Sequence, residues 1–133
     1  MSAANIALTR GLYAAFGRGD IASIAAARAP DIRWEVKGRP KDYPTIGPRN
    51  GPAGVLAFFK QVAETQEPIA FTQNKFHAAD DTIIVLGNYK WIVRKTGTPV
   101  DADFVHVFTV KNGKVTAFRE FTDTAQFAEA YRG

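Results

Sequence analysis

The chain has no cysteine, one methionine and only two histidines, His77 and His106, among 133 residues. Without cysteine it has no disulfide framework, no thiolate metal site and no cysteine nucleophile, which is typical of proteins in a reducing compartment. We therefore predict a cytoplasmic location. The histidines are far apart in sequence, and neither belongs to a cluster with metal-ligand spacing, so we predict no metal and no other cofactor.

Long apolar runs and concentrated charge are also absent. Residues 1–9 lack a basic stretch, and no segment approaches the ~20 apolar residues that cross a bilayer. The 17 basic residues are interspersed with 13 acidic ones, giving a net charge of +4. No basic run exceeds pairs such as Arg94-Lys95. The sequence therefore predicts neither a membrane nor a nucleic-acid partner.

Aromatic residues, in contrast, are plentiful, with 10 Phe, 4 Tyr and 2 Trp. A chain of this length can bury a core unaided, and we predict one domain over residues 1–133. Large rigid rings suit the walls of a cavity as well as a solid core.

The N-terminal region predicts a helical hairpin. Leu8, Leu12 and Phe16 are spaced four apart, which indicates an amphipathic helix over residues 5–16. Asp20 is placed to cap a second helix, which we expect to end at Ala29-Pro30.

Alternation from Ile32 to Val36 predicts a strand. A proline- and glycine-rich loop follows over residues 38–52 and is positioned to gate a site. A third helix should then run until Pro68 ends it.

The rest of the chain reads as strands and turns, with a short helix over residues 125–131. Segments rich in β-branched and aromatic residues occupy residues 69–78, 82–94, 100–110 and 114–122. Helices followed by an antiparallel meander predict an α+β fold with the helices on one sheet face. The other face would carry a row too apolar for free surface, so we predict a homodimer through Val105, Val107, Thr109, Ala117, Arg119 and Phe121.

The turn at residues 111–113 decides which side chains face the helices. A two-residue turn would pair position 106 with 119, whereas a three-residue loop would pair it with 118. We favour the loop, which points His106 and Glu120 inward with Glu120 opposite Phe104 and diagonal to His106. A slip of one residue would instead leave Glu120 exposed beside Arg119.

An imidazole and a carboxylate in one apolar chamber suit proton transfer, because burial and pairing shift the pKa values of such groups in opposite directions. We predict His106 and Glu120 as the catalytic residues; the alternative for His106 is an ordinary core histidine. The residues predicted to line the chamber, or alternatively to fill a solid core, are Tyr13, Phe16, Trp34, Phe59, Tyr89, Trp91, Phe104 and Phe118.

Four stretches carry a resemblance to a known family: LYAAFGRGD at 12–20, PDIRW at 30–34, FVHVF at 104–108 and NGKVTAFREFTDT at 112–124. With them the chain resembles, over nearly its whole length, the SnoaL-like branch of the nuclear transport factor 2-like superfamily. That superfamily includes ketosteroid isomerases, limonene-1,2-epoxide hydrolases and polyketide cyclases. The resemblance implies a conical α+β barrel with a strongly curved, mostly antiparallel sheet around a deep pocket, usually in a dimer.

The resemblance does not reproduce the epoxide hydrolase site. That pattern needs an arginine and two aspartates around a water. Glu120 falls on one carboxylate position, but Gly87 and Tyr89 occupy the other two. The epoxide hydrolase mechanism is therefore not expected here.

The ketosteroid isomerase pattern is also incomplete. Ketosteroid isomerases move a proton with an aspartate base, and a tyrosine and a protonated aspartic acid donate hydrogen bonds to the substrate oxygen. By resemblance, Tyr13 lies at or next to the tyrosine position and His106 near the donor position, while Val36 replaces the base. The polyketide cyclase pattern mainly asks for one acid/base group in an apolar pocket, which His106 or Glu120 would supply.

Three hypotheses of function follow. The leading hypothesis is a small SnoaL-like enzyme that performs cofactor-free acid/base chemistry, namely isomerisation, cyclisation or dehydration, on a small apolar carbonyl compound. The alternative is a non-catalytic module that binds a small molecule or acts as a dimeric accessory protein. A filled pocket with a protein-binding role for the 38–52 loop is a third reading.

Overall fold

The computed structural model describes residues 2–133, which form four helices and six strands. In chain order they are α1 (Ser2–Gly17), α2 (Ile21–Ala26), β1 (Arg28–Val36), β2 (Gly47–Asn50), α3 (Gly51–Thr65), β3 (Gln66–Ala79), β4 (Thr82–Val93), β5 (Thr98–Lys111), β6 (Lys114–Thr122) and α4 (Thr124–Arg132). Among these described residues, no helix is both long and apolar enough to cross a membrane.

Helix α2 begins as predicted and ends earlier. The Asp20 carboxylate accepts a hydrogen bond from the backbone N–H of Ser23 at 3.1 Å, so it caps the helix. The helix stops at Ala26, and Ala29-Pro30 lies in β1 rather than at a helix end. Two effects explain the correction: proline biases the residue before it toward extended backbone, and the Ala27 carbonyl accepts the Val115 N–H at 2.8 Å, drawing the chain into the sheet.

The six strands form one sheet in the order β2-β1-β6-β5-β4-β3. Every pairing is antiparallel except that of β1 with β6, which is parallel. The α+β class and the mostly antiparallel curved sheet are confirmed. The sheet does not close into a complete barrel, because β2 and β3 are free edges; it forms an open cone.

The β5–β6 hairpin has a different register from the predicted one. Its turn contains two residues, Asn112 and Gly113, both with positive φ (52° and 73°), as a tight hairpin turn requires. A bulge then adds Thr116 to β6, since Thr109 pairs with Ala117 but Val110 pairs with Val115. The prediction of a three-residue loop was wrong, yet the bulge restores the predicted facing.

As a result, Glu120 is the direct partner of His106, and Phe104 pairs with Thr122. Directly paired side chains approach each other more closely than diagonal ones. The actual register therefore brings the carboxylate nearer to the imidazole than the predicted register would.

The segment at 38–52 is not entirely a loop. Its last part forms β2, which pairs antiparallel with β1 and carries Pro48 on the edge of the sheet, where proline is tolerated. Helix α3 ends at Thr65, before Pro68, which lies in the other edge strand, β3.

The two faces of the sheet differ in burial. Inward side chains of the central strands are fully covered by the helices and the opposite wall of the cone; those of β4 and β5 include Val85, Tyr89, Trp91, Phe104 and Phe108. One group of neighbouring outward side chains is apolar and at least partly exposed: Ile84, Leu86, Val105, Val107 and, at 40% exposure, Phe121.

Candidate functional site

A cavity opens inside the cone between the helices and the sheet. Its walls are mainly aromatic and aliphatic, and its polar side chains include Tyr13, Tyr43, Tyr89, His106 and Glu120. The free volume is about 90 Å³. An apolar cavity of about 150 Å³ holds benzene, so a ring compound would fit here only as wall side chains move outward.

One hydrogen-bonded chain of three side chains lies in this wall. Tyr13 of α1 places its Oη 2.6 Å from Nδ1 of His106, and the Nε2 of the same ring lies 2.7 Å from Oε1 of Glu120. The planes of the phenol and imidazole rings differ by only 4°, with ring centroids 5.8 Å apart. The chain joins a helix to two paired strands.

The chemistry of the partners assigns the hydrogens. A carboxylate only accepts hydrogen bonds, and a neutral imidazole has one donor and one acceptor nitrogen. The contact with Glu120 therefore places the proton on Nε2 of His106, and Nδ1 accepts the hydroxyl hydrogen of Tyr13. Burial, reinforced by the negative charge of Glu120, raises the pKa of Tyr13, so the phenol keeps this hydrogen.

With the hydrogens assigned in this way, Glu120 is the member of the chain that can still accept a hydrogen bond from a ligand. Both nitrogens of the imidazole are occupied, and His106 is only 4% exposed. Glu120 lines the cavity, its side chain is 15% exposed, and no described residue hydrogen-bonds its second oxygen, Oε2. A ligand in the cavity would therefore meet a carboxylate oxygen before it met an imidazole nitrogen.

Aromatic rings hold the imidazole from several sides. Phe104 stacks on it with ring centroids 4.1 Å apart, and Phe71, Phe108 and Phe118 contact it edge to face. Such packing fixes the orientation of the ring and excludes water from its faces.

The structure brings nearly all the predicted site residues together. The cavity wall contains His106 and Glu120 and seven of the eight predicted lining residues, namely Tyr13, Phe16, Trp34, Phe59, Tyr89, Trp91 and Phe118. Phe104 is the exception: it lies behind His106 as a packing surface and does not line the cavity.

Several wall residues were missed by sequence reasoning. Tyr43 and Thr45 come from the irregular segment between β1 and β2, where no periodicity predicts a facing. Phe127 belongs to α4, which looked like a short tail, and Phe71 lies on the inner side of β3, where the alternation of the strand was the available signal. Gln66, at the start of β3, is buried and donates to Tyr131 Oη at 2.8 Å.

Two further phenols in the wall are held neutral. Burial is the main cause that raises the pKa of Tyr43 and of Tyr89, and the negative charge of Glu120 is the second cause for both. Thr122 and Glu120 are polar neighbours of Tyr89, but neither makes a hydrogen bond of acceptable geometry to its hydroxyl.

Steric crowding explains why glycine occupies position 87, where the epoxide hydrolase pattern would need a polar side chain. A Cβ on Gly87 would lie 2.2 Å from the Thr72 carbonyl oxygen and 2.4 Å from Cζ of Phe104. No side chain fits there without displacing β3.

Within residues 2–133, no three His, Asp or Glu side chains gather where they would hold a metal ion.

Residues 9–118 match the model of the SnoaL-like domain. A nuclear transport factor 2-like protein from Burkholderia xenovorans LB400 has 30% identity over 98% of this chain and 97% of its own, with a TM-score of 0.88. A protein of the same description and of unknown function from Burkholderia pseudomallei K96243 has 30% identity over 100% of both chains, with a TM-score of 0.90.

The chain is also similar to TerC, which was co-crystallised with polyporic acid. The two share 28% identity over 98% of this chain and 99% of TerC, with a TM-score of 0.87. A search of curated proteins finds no match to the chain.

Proposed function

The chain belongs to the SnoaL-like domain family, and from this premise we propose that it is an enzyme that moves a proton on a small apolar carbonyl compound without a cofactor. The observation that carries the proposal is the Tyr13–His106–Glu120 chain, which ends on a free carboxylate oxygen in an aromatic cavity. TerC, co-crystallised with polyporic acid, supports an organic molecule as the occupant of this fold.

In this proposal Glu120 is the catalytic base. Its Oε2 accepts a proton from the carbon next to the carbonyl group and returns it to the same or another carbon. Isomerisation needs that transfer alone, with the proton returned to another carbon. In cyclisation the carbanion attacks a second carbonyl carbon, and Glu120 gives the proton to the alkoxide oxygen that forms; in dehydration the carbanion expels a hydroxyl group, which leaves as water with the proton from Glu120. A carboxylate suits the step because apolar walls around it exclude competing water.

His106 acts through Glu120 rather than on the substrate. Its N–H to Oε1 holds the carboxylate in one rotamer, and Tyr13 in turn holds the imidazole in the tautomer that has this N–H. Both are positioning residues. The sequence alone predicted His106 as a second proton carrier, and in the present proposal it positions Glu120 instead.

The proposal is tested with 2-indanone, a compact ketone with acidic hydrogens beside its carbonyl group. In deuterated buffer, proton NMR follows the replacement of these hydrogens. The wild-type chain should exceed the buffer rate, and Glu120→Gln should reduce the enzymatic rate by about 100-fold or more, the size of a general-base contribution. His106→Ala should lower kcat more than it raises KM.

Glu129→Gln is the matched control, because Glu129 is an exposed carboxylate on α4 outside the cavity. It should exchange at the wild-type rate. A wild-type rate equal to that of buffer, or full activity in Glu120→Gln, would refute the proposed chemistry.

A homodimer and a cytoplasmic location complete the proposal. The partly exposed apolar row on the outer sheet face supports the dimer. The lack of cysteine supports the compartment.

A further inference from the structure

The cavity wall contains buried hydrogen-bond donors that the protein itself leaves unpaired. Within residues 2–133, the buried side-chain nitrogen and oxygen atoms without a hydrogen-bond partner are Nε1 of Trp34, Oη of Tyr43, Oη of Tyr89 and Nε of Arg28. The first three belong to residues that line the cavity, and Arg28 does not. Native proteins pair nearly all buried polar groups, so three unpaired donors around one cavity need an explanation.

The two phenols form a related pair. Both rings pack on Phe127, with centroids 5.2 Å away for Tyr43 and 5.8 Å away for Tyr89, so the two phenols are neighbours in the wall of the cavity that Glu120 also lines. Tyr43 is 5% exposed and Tyr89 is 3% exposed, so bulk water does not serve as the missing partner.

Neighbouring rings hold both phenols in place. Tyr43 stacks on Phe127 and Tyr131 of α4, with centroids 5.2 and 5.3 Å apart. Tyr89 packs on Phe104 at 4.9 Å. Burial keeps both hydroxyls protonated, so each has one hydrogen to donate. The packing of the neighbouring rings restricts the direction in which each phenol donates it.

We propose that Tyr43 and Tyr89 donate hydrogen bonds to an oxygen atom of the ligand, which is therefore an apolar ring compound with a carbonyl, enol or phenolic oxygen. A hydrocarbon would leave the donors unpaired, whereas an oxygen acceptor satisfies them and orients the ring. Trp34 offers a third donor for a second oxygen.

The inference deepens the proposed function and rests on it for one further step. When Glu120 Oε2 takes the proton, the C–H electron pair becomes the C=C bond of an enolate, and the former carbonyl electrons move onto oxygen. Tyr43 and Tyr89 then face the developing negative charge, where fixed donors are most effective. The proton returns from Glu120 to carbon, and no other reactant is needed.

Binding of a matched pair, 2-indanone and indane, tests the inference without turnover. The two molecules share one skeleton and differ by the ketone oxygen. Trp34 and Trp91 line the cavity, so tryptophan fluorescence reports binding of either. The wild type should bind the ketone at least about tenfold more tightly, and Tyr43→Phe or Tyr89→Phe should each weaken ketone binding about fivefold while leaving indane unchanged.

Tyr131→Phe is the control, because the Tyr131 hydroxyl already bonds with Gln66 and Thr65 and does not line this cavity. It should retain the preference for the ketone and lower Tm, whereas Tyr43→Phe and Tyr89→Phe should leave Tm unchanged or raise it. Equal affinity for ketone and hydrocarbon, or a fall in Tm for either cavity variant as large as for Tyr131→Phe, would overturn the inference.

The two proposals fail separately. A chain that prefers the ketone but does not accelerate hydrogen exchange would retain the donor pair and lose the catalytic role of Glu120. A chain that accelerates exchange without a preference for the ketone would do the reverse.

Discussion

Some polar side chains in the cavity wall form all their hydrogen bonds within the protein, and others have donors or acceptors without a partner. His106 uses both nitrogens within the protein, and its ring is enclosed by phenylalanines. Glu120 uses one oxygen, while Tyr43 and Tyr89 use no hydroxyl hydrogen. The groups without a partner are an acceptor and two donors in one apolar wall, which is the set a carbonyl compound with a removable hydrogen requires.

The buried phenols predict a loss of stability in alkali. Burial raises the pKa of Tyr13, Tyr43 and Tyr89 above the ordinary value of 10.0, so above that pH the unfolded chain releases protons that the folded chain retains. Their contribution is complete below about pH 10 and declines as the pH rises further. Each proton lowers the free energy of unfolding by ~1.4 kcal/mol per pH unit, and three protons by about 4 kcal/mol per unit.

Urea unfolding at a series of pH values from about 8 to 11 measures this slope. In a plot of the free energy of unfolding against pH, Tyr43→Phe should reduce the steepest slope by the contribution of about one proton, and Tyr89→Phe should reduce it by the same amount. The prediction is wrong if the near-ultraviolet absorbance of tyrosinate shows all three phenols ionising at their ordinary pKa while the chain remains folded.

The C-terminal helix α4 contributes more than its length suggests. Asp123 caps it by accepting the Gln126 N–H at 3.1 Å, and Phe127, Ala128, Ala130 and Tyr131 are buried on one face. Phe127 and Tyr131 also form the surface on which Tyr43 stacks. Helix α4 therefore closes the core and at the same time places a donor from the segment between β1 and β2 in the cavity.

Phe127→Ala tests the role of α4. The side chain is 3% exposed, and its removal leaves a cavity next to Tyr43 and Tyr89. We expect the free energy of unfolding to fall by about 3–5 kcal/mol in urea titrations. Glu129→Ala, an exposed position on the same helix, should change it by less than ~0.5 kcal/mol. A loss for Phe127→Ala as small as that control would show that the helix is not docked as described.

The outer face of the sheet is a feature of the whole molecule. Ile84, Leu86, Val105 and Val107 form a continuous partly exposed patch on β4 and β5, and Phe121 extends it onto β6. Contiguous apolar patches of this kind usually mark an interface. A second copy of the chain is the partner proposed above.

Analytical ultracentrifugation tests the proposed dimer. The wild-type chain should sediment as a dimer, and Val107→Asp with Phe121→Asp should give a monomer, because two buried charges per copy oppose association. Circular dichroism should show an unchanged fold. Leu56→Asp, at a 46% exposed apolar position on α3, should remain dimeric. A monomeric wild type, or a double variant that still dimerises, would contradict the proposal.

Local patterns were sufficient to predict much of this protein. Helical spacing and strand alternation depend on neighbouring residues, so they predicted α1, the strands from β3 to β6, the α+β class and most of the aromatic wall. The inward facing of His106 and Glu120 was predicted from a three-residue loop, and the structure reaches the same facing through a two-residue turn and a bulge. Helix ends were less accurate where sheet pairing competed with helix formation, as at Ala29-Pro30.

Contacts between distant segments decided the rest. The bulge at Thr116 set His106 opposite Glu120, and parallel pairing with β6 drew β1 into the sheet. Tyr13 meets His106 across 93 positions of the chain, and Tyr43 reaches the cavity because α4 packs behind it. Such placements follow from the packing of the complete fold, which no short window of sequence contains; the residue types at the site could be predicted locally, but their bonds could not.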